Sequence, residues 1–88
     1  MKSKILNYYS DPGHGWVKVS KDFLVKMEIS EKISIFSYQK SNFAYLEEDC
    51  DLSLLIQSMK QKNIQPIIRQ YNTNKSSKIR SYDRYIVA

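Results

Sequence analysis

Leu52, Leu55, Ile56 and Met59 fall at i, i+3, i+4 and i+7, the spacing that puts four apolar side chains on one face of an α-helix. Such a stripe has to be buried, so the rest of a short chain must supply an apolar surface to receive it. The pattern predicts a helix from about Leu52 to Lys62. Asp51 is a suitable N-cap, and Glu47, Glu48 and Asp49 suit the positive end of the helix dipole. Lys60 and Lys62 suit the other end, and Asn63 can take the left-handed conformation that stops a helix.

The receiving surface is predicted to be a sheet. Ile33 to Tyr38 and Phe43 to Glu47 are rich in β-branched and aromatic residues, and the polar string Lys40-Ser41-Asn42 between them reads as a hairpin turn. Val17 to Val19 and Ile64 to Tyr71 supply two more strands, with Pro66 pointing to an edge position. Ser20 caps a second, shorter helix that carries Phe23, Leu24 and Met27 on one side and ends between Glu28 and Ser30. From Trp16 to Tyr71 the order is β-α-β-β-α-β. That is the order of an α+β, ferredoxin-like antiparallel sheet with two helices on one face, and Ile5 to Tyr9 is available as an extra N-terminal strand. On this reading the opposite sheet face and the C-terminal segment are left free to bind.

At 88 residues the chain suits a single domain, 1–88, and 42% hydrophobic with 26% charged residues is a globular composition. One cysteine, Cys50, and one histidine, His14, are too few for an internal disulfide or a structural zinc site. Ile5 and Leu6 are followed at once by Asn7, which gives no hydrophobic segment for a signal peptide, and no run reaches the ~18 apolar residues of a membrane span. The expectation is a reduced, cytoplasmic setting with no membrane partner.

Charge is segregated along the chain. Within the net charge of +5, Arg69, Lys75, Lys78, Arg80 and Arg84 face a single acid, Asp83, in the C-terminal part, so that 72–88 forms a basic segment. Clustered positive charge favours polyanions. Tyr71, Tyr82 and Tyr85 are interleaved with these cations, an arrangement that can grip phosphates while stacking on bases. Asn42-Phe43-Ala44-Tyr45-Leu46 is partly similar to the aromatic strand of RNA-recognition motifs and falls on the matching third strand. It departs from that pattern in its Ser41-Asn42 lead, and Trp16-Val17-Lys18-Val19 offers no good partner motif. Packing of Phe43 and Tyr45 in a core accounts for the same residues.

Asp11-Pro12-Gly13-His14-Gly15-Trp16 predicts a tight turn, with glycines relieving backbone restrictions around the histidine. Asp11 could orient the His14 imidazole for acid-base work, or the string could be ordinary turn chemistry with Trp16 as an anchor. Glu47-Glu48-Asp49-Cys50-Asp51 carries oxygen ligands but not the spacing of a calcium loop, and helix capping explains it. The acids around Cys50 disfavour a thiolate nucleophile. Neither a catalytic triad nor a nucleotide-cradling glycine loop is present, which predicts no cofactor and no catalytic residue. The candidate binding residues are therefore Asp11, His14, Trp16, Arg69, Tyr71, Lys75, Lys78, Arg80, Tyr82 and Arg84.

The strings Tyr9-Ser10-Asp11-Pro12-Gly13-His14-Gly15-Trp16, Lys32-Ile33-Ser34, Tyr45-Leu46-Glu47-Glu48-Asp49-Cys50-Asp51 and Ser77-Lys78-Ile79-Arg80-Ser81-Tyr82 together resemble a group of small proteins of unassigned role encoded by phages and prophages. The resemblance implies a mobile-element origin in a bacterial host. It also implies an accessory role exerted by binding, such as anti-CRISPR-like inhibition of a host defence protein or ribonucleoprotein. Two alternatives follow from the residues themselves: a nucleic-acid-binding module, and a small enzyme or nucleotide-binding protein centred on Asp11, His14 and the acidic segment.

Overall fold

A computed structural model describes residues 2–87. It is an α+β fold in which a six-stranded mixed sheet carries two helices. The strands are β1 (Lys2–Ser10), β2 (Gly15–Ser20), β3 (Tyr38–Lys40), β4 (Phe43–Glu47), β5 (Ile64–Asn72) and β6 (Asp83–Arg84), and the helices are α1 (Lys21–Lys26) and α2 (Leu52–Gln61). Across the sheet the order is β5-β1-β2-β4-β3-β6. Among the described residues no helix is long and apolar enough to cross a membrane.

The ferredoxin-like β-α-β-β-α-β unit is carried by β2, α1, β3, β4, α2 and β5, with a modification. The N-terminal strand does not flank the unit but enters its middle, between β2 and β5, pairing antiparallel with the first and parallel with the second. The sheet is thus mixed rather than wholly antiparallel. β5 still runs antiparallel to β2, as the unit requires, because a parallel and an antiparallel step in succession reverse direction once.

The helices seal one sheet face. Leu24 of α1 and Leu55 and Met59 of α2 are each 0% exposed, packed with Leu6, Val17, Val19, Ala44 and Leu46, which alternate along their strands toward the same side. Tyr8 also points this way and donates a hydrogen bond to Glu48; burial first, then Glu48, pushes its hydroxyl pKa up to about 12. Gly15 is glycine because of that side chain: a Cβ there would overlap the Tyr8 ring and hydroxyl. No glycine has positive φ, so the expected relief of backbone restrictions is replaced by a close-approach requirement.

Local signals explain the element ends. Ser20 Oγ accepts from Phe23 N at 3.1 Å and caps α1, Asn63 turns left-handed at φ 58° after α2, and Ser41 does so at φ 54° in the two-residue hairpin turn. Two expectations are corrected. Asp51 makes no side-chain cap on α2; its buried carboxylate accepts from Ser34 N, Ser34 Oγ and Ser37 Oγ instead. That capture curls residues 33–37 into a turn, so β3 begins at Tyr38 rather than at Ile33.

The C-terminal segment is not a free tail. A short 3-10 helix at Lys78–Ser81 places Ile79, 3% exposed, against Trp16 and Tyr45 on the second sheet face. The face that was expected to be open is therefore half covered by the very segment that was expected to be its free companion. The basic segment closes down on the sheet because Ile79 and Tyr82 are apolar or aromatic and have a surface to bury.

Candidate functional site

The turn between β1 and β2 makes the pin that holds this strap. Asp11 Oδ1 accepts from the backbone N–H groups of Gly13 and His14, both at 2.9 Å, and Oδ2 accepts from Ser77 N at 2.9 Å. The Arg80 guanidinium completes a two-pronged pair, Nε to Oδ2 at 2.6 Å and Nη2 to Oδ1 at 2.8 Å. The Asp11 side chain is 1% exposed. Arg80 first, then the Ser77, His14 and Gly13 amides, holds its carboxyl well below the usual carboxylate range. Arg80 also lies over the Trp16 ring, 5.4 Å from its centroid. Asp11, Trp16 and Arg80 are thus brought together, but as structure: Asp11 does not orient the imidazole.

The imidazole faces Glu47 instead. Trp16 pairs with Glu47 across β2 and β4, which carries the end of β4 up to the turn and leaves His14 Nδ1 3.4 Å from Glu47 Oε1. With Asp49 they line a cleft of about 390 Å³ whose walls include Trp16, Tyr38 and Phe36 and whose rim holds Arg80 and Arg84. Glu47 Oε2 accepts from Asp49 N at 2.9 Å. Cys50 is exposed beside it, and local desolvation, then Glu47, Asp51 and Asp49, raise its thiol pKa, against a nucleophilic role.

The other half of the second sheet face is open. Register places Arg69, Asn7, Lys18, Tyr45, Tyr38 and Arg84 in one row across all six strands, at the ~4.8 Å strand spacing of a sheet. Tyr82 covers the Tyr45 end, with ring centroids 5.0 Å apart, and Arg84 lies 4.6 Å from the Tyr38 centroid. Arg69 is exposed, and Asn7 and Lys18 beside it are half-buried. Beside them Lys18 Nζ stands 4.3 Å from the centroid of the exposed Phe43 ring, Tyr71 stacks on Tyr9 at 5.2 Å, and Ile5 pairs with the equally exposed Ile67. None of the residues that β1, β2 and β5 place on this face is acidic.

Of the residues predicted from sequence, Asp11, His14, Trp16, Arg80 and Arg84 gather at the closed end, while Arg69 and Tyr71 lie on the open half. Lys78 and Tyr82 join Lys18 and Tyr45 along a groove between the two. Lys75 sits apart in the exposed loop after β5. Sequence reasoning missed Asn7 and Lys18, and set aside Phe43, which core packing could explain, and Glu47, which helix capping could explain. The alternation of β2 was the available signal for Lys18, since Val17 and Val19 face the core and Lys18 must face away.

The chain matches no family model, no curated protein and no solved structure.

Proposed function

We propose that this chain is a binding module that takes single-stranded nucleic acid on the open half of its second sheet face. The observation that carries this reading is the row Arg69, Asn7 and Lys18 flanked by the exposed rings of Phe43 and Tyr71. Two cations two strand spacings apart, Arg69 and Lys18, meet phosphates, Asn7 between them offers hydrogen bonds, and flat rings give bases a sequence-tolerant surface on which to stack. The inhibitor role implied by the resemblance to phage proteins shares the element of binding. The aromatic and basic content of this open half, to which β1, β2 and β5 contribute no acid, favours nucleic acid over a protein surface as the occupant, and a host ribonucleoprotein would present such a strand.

The test is a salt titration with fluorescent oligonucleotides of single-stranded DNA and RNA. Replacing Lys18 and Arg69 together by Ala is expected to flatten the slope of log affinity against log salt by about 0.7 for each phosphate no longer neutralised. Phe43→Ala is expected to weaken binding by about 1–3 kcal/mol with the slope unchanged. Parental affinity in both variants, or no binding of any single strand at low salt, would sink the reading.

A further inference from the structure

We propose that His14, Glu47 and Asp49 form a site for one divalent transition-metal ion, with Zn²⁺ the best fit. Among the described residues these three each offer a ligand atom within 4.8 Å of the others. The independent observation is Glu47. Its side chain is only 10% exposed, yet Oε1 accepts no hydrogen bond from any described residue, a costly arrangement for a carboxylate oxygen. The nearest partner, His14 Nδ1 at 3.4 Å, lies beyond the about 2.7–3.2 Å of an ordinary N–H···O bond. Two donors that share one ion at about 2.1 Å in tetrahedral array stand about 3.4 Å apart. The separation is wrong for a hydrogen bond and right for two ligands of the same metal.

The donors are also held from behind. Glu47 Oε2 is fixed by Asp49 N, Glu47 N donates to Ser37 Oγ at 2.9 Å, and His14 N donates to Asp11 Oδ1. The bond to Glu47 Oε2 is an outer partner of the kind that orients a metal ligand, and the two backbone bonds fix the main chain from which Glu47 and His14 project. One imidazole with two carboxylates selects a borderline ion over Mg²⁺ or Ca²⁺, which prefer oxygen alone. Three protein ligands leave a coordination position facing the cleft, as in open rather than structural zinc sites. Sequence spacing concealed the set because the histidine and the acids come from different strand ends joined only by the Trp16–Glu47 register.

The experiment titrates the chelator-treated full chain with Zn²⁺ by calorimetry and with Co²⁺ by visible absorption, with Mg²⁺ for comparison. One equivalent of Zn²⁺ is expected to bind, with the Co²⁺ spectrum of a four- or five-coordinate ion, and Mg²⁺ to bind far more weakly. His14→Gln and Glu47→Gln should each weaken Zn²⁺ by more than the roughly 10- to 100-fold that outer partners are worth. Glu47→Gln keeps the shape and an acceptor for Asp49 N. Asp49→Asn alters an exposed side chain, so its weaker binding is read on a protein whose fold is not at stake, and circular dichroism checks each variant. No binding at millimolar Zn²⁺, affinity unchanged in all three variants, or binding abolished only by Cys50→Ser would overturn the site.

Discussion

The two faces of the sheet are sealed by different physics. On one, Leu24, Leu55 and Met59 bury apolar side chains without a charge among them. On the other, a strap from the C-terminal segment lays Ile79 and Tyr82 on Trp16 and Tyr45 and is locked by Arg80 and Ser77 on the Asp11 carboxylate. The first seal rests on area removed from water, the second on a small apolar contact plus one ion pair at the edge of the protein. Cohesion of the helix side should respond to salt and acid less than that of the strap side, because its own charged contacts, the buried Asp51 carboxylate and the Lys62–Glu28 pair, lie at the helix ends rather than under them.

The sharpest way to break the contrast is Met59→Asp, which places an unpaired charge under α2. Destabilisation on the order of 3 kcal/mol or more is expected by chemical denaturation. A variant that melts like the parent would mean that α2 does not depend on this burial.

Asp11→Ala is expected to act on one face only. It removes the acceptor of Arg80 and Ser77 and leaves the α1 and α2 core untouched. Amide exchange at Ile79 and Tyr82 should then accelerate strongly while Leu55 and Met59 stay protected, with a smaller fall in melting temperature than Met59→Asp gives. Equal loss of protection on both faces would erase the distinction.

Acid should produce the same asymmetry more gently. The folded pKa of Asp11 is depressed, so its contribution is fully present above the ordinary carboxylate value near about 3.9 and is lost as pH falls from there toward the folded value. Below about pH 4, Trp16 fluorescence, reporting on the ring beneath Arg80, is expected to change before the far-ultraviolet helix signal does. Coincident transitions would show that the strap and the core let go together.

Much of the helix side was legible because it is written locally. The stripe from Leu52 to Met59, the Ser20 cap and the Asn63 stop each act within a turn or two of their own position. The hairpin was legible for the same reason, in Ser41 and Asn42. The rest is carried by pairs that no local window contains. Asp51 looks like a cap and is instead the acceptor for Ser34 and Ser37; Asp11 looks like a partner for His14 and is instead the seat of Arg80. The alternation of Ile5 to Tyr9 reveals a strand, but a period of two does not say which neighbours it has, and so its entry between β2 and β5 was hidden. The candidate site inherited both limits: its cations were found by composition, and the face that presents Lys18 and Phe43 only by register.

The place of β1 also sets an order of events. Along nine positions each residue of β1 meets the residue 62 further on in β5, from Lys2 with Ile64 to Ser10 with Asn72. During synthesis β1 can close on β2 early, since a short turn joins them, but its other edge must wait for most of the chain. Until β5 arrives the nascent hairpin carries an unpaired rim and an apolar side without its helices, the state most exposed to wrong partners. Such distant parallel pairing is slow to search for, so β1, made well before its partner β5, is among the last of these strands to become interior.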